Sequence, residues 1–410
     1  MNEPRPSLLP RRSFLQNLAL ASASLALAGC GPRPPRPTTL ADASGTSTAA
    51  PHRKLGVALV GLGGYSTGQL APALQETRWC KLTGVVTGDR EKGERWSRQY
   101  GFPAENIYHY DNMHELADND AIDIVYVVTP PGLHHRDTLA AARAGKHVIC
   151  EKPMANSVAE CDEMIKVCRE QNVKLSIGYR LEFEPHHQLV DRLAPPGSAS
   201  PFRELDGSHA FSSNNLGWRA DADLAGGGPL MDLGVYVIQA ACRAAAGQVP
   251  LAVTAEIPPA TRPDLFKTVE ESIRWTMEFP GGIRGTGFTS YADRGNHFDA
   301  RGPDRSVELR PAYSYGGIGG RANGDRLDLP QINQQAAQMD DFARRVLQDE
   351  ISPVSGDLGR MHMAVIEAIY EAARTGRRVE IPSAAREQWL NAAARTVLPY
   401  NFDTGGTVSA

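Results

Sequence analysis

Cysteine is scarce in this chain, and what there is forms no pattern. The 410 residues include six cysteines, Cys30, Cys80, Cys150, Cys161, Cys168 and Cys242. None pairs as CxxC, and no Cys/His cluster has zinc-site spacing, so no metal is expected. Cys161 and Cys168 fall two turns apart on one helix, too far to bridge within it. The cysteines after Cys30 read as buried thiols, with a disulfide between distant elements left open. A large excess of charge of either sign is lacking too: the formal net charge is -4, which gives no electrostatic footprint for nucleic acid. The apolar stretch from Leu18 to Ala28 is too short for an ordinary membrane-spanning helix. Composition is otherwise ordinary, 41% hydrophobic and 22% charged, and the length suffices for two domains with sizeable cores.

The N-terminus reads as an address. Arg11-Arg12-Ser13-Phe14-Leu15-Gln16 precedes that short apolar stretch, the layout of a twin-arginine export signal over residues 1–30. Leu27-Ala28-Gly29-Cys30 resembles a lipobox with Cys30 as the lipidated residue, against a chance cysteine beside a conventional cleavage site. The expectation is a periplasmic protein, either soluble or lipid-anchored at Cys30. Residues 31–52, rich in Pro, Thr, Ser and Ala, read as an extended arm: a tether, or a strap across a neighbouring subunit.

From residue 53 the chain alternates strand and helix. Leu55 to Val60 is a strand, Gly61-Leu62-Gly63-Gly64-Tyr65-Ser66 follows at once, and Thr67 to Gln75 can form a helix. Gly61 permits a tight turn, Gly63 lets a pyrophosphate approach the backbone, and the helix start offers it N–H groups. Ser66 stands in the third glycine position. The strand Lys81 to Val86 ends in Thr87-Gly88-Asp89-Arg90-Glu91-Lys92. The hydroxyl and the two cations suit a 2′-phosphate, hence NADP, although Asp89 is placed to reach a ribose. Strands at Ile122 to Val128 and Val148 to Cys150, and helices from His134 to Ala144 and Val158 to Gln171, complete a doubly wound parallel sheet over 53–178. The central stretch is Gly145 to Met154. Its buried strand ends in Glu151-Lys152-Pro153, at the sheet edge where ligands bind, though such a pair alone is more often a surface feature.

Past Tyr179 the pattern changes. Phe202 to His209, Leu251 to Ile257, Glu271 to Phe279, Ile283 to Ser290 and Ser306 to Arg310 read as strands of a large, mostly antiparallel open sheet. The second domain spans 179–383, and 384–410 is a C-terminal extension with a helix at 384–397. Gln334 to Leu347 and Gly359 to Ala373 are amphipathic helices expected to return to the first domain or flank it. Glu182 to His187, Phe211 to Asn215 and Tyr291 to Phe298 are expected to be specificity loops. In Gly226-Gly227-Gly228-Pro229-Leu230-Met231-Asp232-Leu233-Gly234-Val235-Tyr236, the glycines deliver a helix running from Pro229 to Ala246. Asp232 and Tyr236 share one face of it.

Gly61 to Tyr65, Val85 to Lys92, Ala144 to Met154, Ile177 to Arg180 and Ala225 to Tyr236 together carry a resemblance. The chain resembles the glucose–fructose oxidoreductase / inositol dehydrogenase / rhizopine-catabolism (Gfo/Idh/MocA) family of sugar oxidoreductases, its glucose–fructose oxidoreductase branch most of all. The resemblance covers roughly residues 53–380. It implies an α/β plus α+β fold, a Rossmann domain followed by a domain on a large, mostly antiparallel open sheet. It also implies a cis Lys152–Pro153 bond, and dimers or tetramers built through the open sheet face. Thr87 and Lys92 match residues that bind a 2′-phosphate in that branch. Tyr110, Thr129, His134, Glu151, Lys152, Arg180, Trp218 and Arg219 map to further cofactor contacts, and Gly61, Leu62, Gly63, Gly64, Tyr65, Arg90 and Pro130 are expected beside the cofactor with them.

The expected chemistry is hydride transfer between a sugar carbon and the nicotinamide of NADP. Tyr236 would act as general acid/base, Lys152 would assist and orient the sugar oxygen, and Asp232 would hold substrate or lysine. With a cofactor that never leaves, one aldose is oxidised to its lactone and a second sugar is then reduced. The competing readings are a sugar dehydrogenase with exchangeable cofactor, a dinucleotide-dependent glycosidase, and a non-catalytic sugar or dinucleotide sensor.

Overall fold

The computed structural model describes residues 53–382. The twin-arginine segment, the Cys30 lipobox, the arm and the helix expected at 384–397 lie outside the described residues.

Six strands form the first sheet: β1 (Leu55–Val60), β2 (Cys80–Val86), β3 (Ile107–Tyr108), β4 (Ile124–Val127), β5 (His147–Cys150) and β6 (Leu175–Ile177). All their pairings are parallel, in the order β3-β2-β1-β4-β5-β6. Every residue of β1 and β4 is buried. Strands that read as unbroken apolar runs need cover on both faces, and the crossover helices supply it. These are α1 (Ala71–Glu76), α2 (Arg90–Tyr100), α3 (Pro131–Arg143) and α4 (Val158–Glu170). The strand order reverses between β1 and β4, so a crevice opens beyond their carboxyl ends.

The second sheet has nine strands. After α5 (Pro185–Leu193) come β7 (Glu204–Ala210), a single turn α6 (Ala222–Ala225) and α7 (Val235–Ala244). Then β8 (Ala252–Glu256), β9 (Ser272–Glu278), β10 (Arg284–Ser290), β11 (Gly295–Arg301), β12 (Ser306–Leu309), β13 (Gly320–Ala322) and β14 (Asp325–Arg326) follow, with β15 (Val379–Glu380) last. The order is β14-β13-β12-β11-β7-β10-β9-β8-β15, and β10 with β7 is its parallel pair. The expected fold class is the one observed. Helix α7 is buried along its whole length. It lies so close to β7 that a Cβ on Gly207 would stand 2.8 Å from Val237.

Between β14 and β15 run α8 (Gln334–Gln348) and α9 (Gly356–Thr375). Helix α8 does return to the first domain. Ala336, Met339, Phe342 and Ala343 join the apolar cluster of β1 and β2. The Asp340 carboxylate accepts the backbone N–H of Arg78 at 2.8 Å and of Trp79 at 2.7 Å.

Four local expectations need correction. Tyr291 to Phe298 is not a loop throughout, because β11 begins at Gly295 and sits between β7 and β12. Its buried Asp299 hides the apolar alternation; Arg301 and Arg310 neutralise it at 2.6 and 2.7 Å. Glu182 to His187 is not a surface loop either: Glu184, His186 and His187 are buried. Glu184 accepts the N–H of His187 at 2.9 Å and lies 2.7 Å from the His186 ring, capping α5. Helix α3 starts at Pro131, before His134, since proline suits a first helical turn. Finally, neither ligand-facing helix is α-helical from its start: Ser66–Leu70 and Leu230–Gly234 are π-helical turns. Such turns recur at functional sites.

Candidate active site

The crevice holds a cavity of about 780 Å³ that starts on the glycine turn after β1 and ends against the second domain. Gly61 has φ +94°, a conformation that disfavours any side chain, and a Cβ there would stand 3.2 Å from Thr129. At Gly63 and Gly64 nothing lies within 4 Å of where a Cβ would project, so the backbone is open to a ligand. The buried Ser66 hydroxyl donates to the Gly61 carbonyl at 2.6 Å and so fixes the turn.

Gly61, Leu62, Gly63, Gly64 and Tyr65 line this cavity together with Thr87 and Lys92. Tyr110, Thr129, Pro130, Trp218 and Arg219 complete the expected residues found there. Arg90 does not belong with them. Its guanidinium is turned away, donating to the Ile107 carbonyl at 3.1 Å and lying 3.3 Å from Glu94. Asp89 explains the difference: its carboxylate caps α2 by accepting the Lys92 N–H at 2.9 Å. Residues two apart at a helix start point to different sides, and Lys92 is the one whose ammonium reaches back to the Leu62 carbonyl.

Behind Arg219 of the cavity wall, and not on the lining itself, three expected residues come together. Lys152 Nζ donates to the Asp232 backbone carbonyl at 2.8 Å and lies 3.3 Å from its carboxylate. The same nitrogen stands 4.7 Å from the centre of the Tyr236 ring. The Lys152–Pro153 peptide is cis. Asp232 is the hub: its second oxygen accepts from Arg219 Nε at 2.7 Å and from the Tyr291 hydroxyl at 3.0 Å. Burial works against charge on Asp232, yet Lys152 and Arg219 outweigh it and hold its pKa well below the usual carboxylate range. Burial likewise opposes the Lys152 ammonium, but Tyr236, Asp232 and Glu151 reverse that and raise its pKa, so it stays protonated through neutral pH.

Three expected contacts stand behind this hub rather than on the cavity wall. Glu151 accepts from the Tyr126 hydroxyl at 2.7 Å, which accepts from Gln338 at 2.8 Å. Burial raises its pKa, and Gly178 packs so tightly that a Cβ would stand 2.5 Å from its carboxylate. The buried His134 ring lies between the Thr129 and Pro153 carbonyls, at 2.7 and 2.9 Å, tying the cavity wall to the residue after Lys152. Burial lowers its pKa, so the neutral ring donates to one of the two. Arg180 is buried, its guanidinium 5.0 Å from the Tyr236 ring and 4.5 Å from the Tyr315 ring.

Sequence reading missed Tyr315 and Glu270, and gave Tyr291 only as the start of a specificity loop, not as a partner of Asp232. Glu270 accepts the N–H groups of Gly228 and Leu230 at 2.8 and 3.1 Å, capping from afar the π-helical turn that carries Asp232. The Tyr370 hydroxyl donates to it at 2.9 Å. No local signal marks these three, because each reaches the site through tertiary packing alone. Among the described residues, no group of three or more His, Cys, Asp or Glu could hold a metal ion.

The fold falls in a known class. A family model described as "Oxidoreductase family, NAD-binding Rossmann fold" matches residues 55–179, and one described as "GFO/IDH/MocA C-terminal domain" matches residues 201–309. The crystal structure of an aldose-aldose oxidoreductase from Caulobacter crescentus, complexed with glycerol, superposes with a TM-score of 0.77. It is 40% identical, and the match covers 80% of this chain and 100% of that one. A D-xylose 1-dehydrogenase (NADP(+)) of Haloarcula marismortui is 28% identical over 350 residues, 82% of this chain and 95% of that protein. A levoglucosan dehydrogenase, 19% identical with a TM-score of 0.67, shares the fold. The chain belongs to the Gfo/Idh/MocA oxidoreductase family.

Proposed function

We propose that this protein is an exported, NADP-dependent sugar oxidoreductase that keeps its cofactor, oxidising an aldose to the lactone and then reducing a second sugar. The observation that carries the reading is the contact of Lys152 with both Asp232 and Tyr236, joined through Arg219 to a cavity lined by the glycine turn. The similar proteins that act on aldose or xylose support a sugar as substrate. The twin-arginine segment supports export to the periplasm, as a soluble protein or one lipid-anchored at Cys30. A retained cofactor fits export, because free NADP is scarce outside the cytoplasm.

The cavity suits a dinucleotide. Gly63 and Gly64 leave room at the turn, N–H groups of the helix start can meet a pyrophosphate, and Thr87 and Lys92 can meet a 2′-phosphate. When bound, its nicotinamide accepts or donates a hydride at C4. The chain's own part is proton handling. In oxidation the Tyr236 phenolate oxygen takes the proton from the sugar hydroxyl and becomes the phenol; in reduction the phenol gives that proton to the sugar oxygen and is left as the phenolate. Lys152 and Arg180, one over the ring at 4.7 Å and one at 5.0 Å, stabilise negative charge as it develops on the phenol oxygen. Asp232 fixes Lys152 and keeps it charged. Denaturing the purified protein and identifying the released nucleotide, alongside an aldose panel on intact protein, tests the reading. A protein holding no nucleotide, with no aldose oxidised when NADP is supplied, would overturn it.

Lys92 supplies the cation nearest the expected 2′-phosphate. Lys92→Ala should weaken NADP binding by about 10–100-fold and leave NAD binding nearly unchanged. Titration of each nucleotide by fluorescence checks this.

The open face of the second sheet is proposed as the homodimer surface, whether the protein is a dimer or a tetramer that contains such dimers. It carries a shallow groove lined by Asp206, Arg274, Thr286 and the part-buried Phe288. Phe288→Glu puts a charge where a dimer would bury it and should shift the mass in solution to that of one chain, as light scattering would show.

A further inference from the structure

We propose that Tyr315 is a dinucleotide-binding residue supplied by the second domain, and that with Tyr65 it bridges the cavity and slows nucleotide release. The inference rests on reading the cavity as a dinucleotide site and asks what would hold the nucleotide there.

Tyr65 closes the glycine turn of the first domain, and Tyr315 lies in the segment between β12 and β13 of the second. Both line the cavity. Their ring centres are 5.7 Å apart with the planes tilted by 33°, a favourable aromatic contact. The bridge therefore joins the two domains over the turn on which a pyrophosphate would lie.

Exposure singles Tyr315 out. Of the five large apolar side chains that the described residues leave exposed, Tyr315 alone lines this cavity, and it is 50% exposed. Its backbone is nonetheless firmly held. The Ser314 carbonyl accepts from Arg180 at 3.1 Å and from Gln334 at 3.2 Å. Asn296 donates to the Ser314 hydroxyl at 3.1 Å, and its own amide oxygen accepts the N–H groups of Ala312 and Tyr313 at 2.8 and 2.7 Å. Arg180 also lies against the Tyr315 ring, at 4.5 Å. A half-exposed ring on an anchored segment is pre-organised for a ligand: ordering costs little when the ligand binds. A nucleotide threaded beneath the two rings leaves only when they part, so the bridge acts mainly on the dissociation rate.

The test is the release of reduced NADP from the full-length protein, followed by nicotinamide fluorescence during a chase with excess oxidised NADP. Tyr315→Ala should release the nucleotide about ten-fold faster, and Tyr315→Phe, which keeps the ring, at about the wild-type rate. Tyr65→Leu should speed release from the other side of the bridge. Thermal unfolding of nucleotide-free protein should be unchanged in Tyr315→Ala, since a half-exposed ring adds little to the fold. Release from Tyr315→Ala within about two-fold of wild type overturns the inference while leaving the cavity a dinucleotide site. So does faster release accompanied by an equal loss of stability without nucleotide, because Tyr315 would then be only a strut between domains. A wild-type protein that binds no dinucleotide overturns the inference and the reading beneath it together.

Discussion

Lys152→Met is expected to lower turnover by about 10²–10⁴-fold while leaving the bound nucleotide in place, the range for loss of a group that assists proton transfer. The fold should survive. Asp232 keeps two partners, Arg219 at 2.7 Å and the Tyr291 hydroxyl at 3.0 Å, so no buried carboxylate is left alone. Methionine also fills nearly the same volume as the lysine stem. The check is turnover per mole of bound nucleotide. Turnover close to wild type would remove Lys152 from the chemistry. Because the pKa of Lys152 is raised above its ordinary 10.5, the ammonium persists across the working range. Any alkaline fall in activity below that value belongs to another group.

Asp232→Ala should do two things at once. It removes the carboxylate shared by Lys152, whose side chain is 11% exposed, and Arg219, at 35%. Breaking a buried ion pair by deleting one partner costs about 3–5 kcal/mol. Here the low end applies, about 3 kcal/mol, since Arg219 reaches water and Lys152 keeps the backbone carbonyl at residue 232. Turnover should fall as well, because nothing then fixes the ammonium beside Tyr236. Asp232→Asn, which keeps shape but loses charge, should recover part of the stability and less of the turnover. Urea unfolding with parallel kinetics separates the two effects. The pH dependence has a definite sign. A carboxylate whose folded pKa is depressed stabilises the protein fully above its unfolded value, near 3.8, and loses that contribution as pH falls toward the lowered one. Asp232→Ala should therefore cost much at neutral pH and progressively less as the solution is acidified below that value.

How much of this was legible beforehand follows from where each signal resides. The glycine turn after β1 could be read because strand, turn and helix are contiguous, and so could Glu151-Lys152-Pro153 at the end of β5. The partnership of Lys152 with Asp232 and Tyr236 came from recognising two distant stretches as parts of one family pattern. No local periodicity joins residues 80 apart in sequence. Arg90 misled because charge type says nothing about direction. The Asp89 cap sets where α2 begins, and with it which of Arg90 and Lys92 faces the cavity. Strand β11 escaped because Asn296, His297 and Asp299 are polar, yet Asn296 anchors a neighbouring segment and Asp299 is neutralised by two arginines. The π-helical turns left no trace in a 3.6-residue pattern. Tyr291, Tyr315 and Glu270 arrive from loops and strands whose placement only the assembled sheets decide.

Single-turnover reduction of the nucleotide tests the role of the Lys152–Tyr236 contact most directly. Wild type and Tyr236→Phe, each loaded with one oxidised NADP per chain, would be mixed with an aldose that the wild type oxidises. The rise of the reduced-nicotinamide absorbance band would then be timed. The account predicts a fast rise in wild type and one slowed by about 10²-fold or more in Tyr236→Phe, with the amount of bound nucleotide equal in both. Equal rates in the two proteins would contradict it.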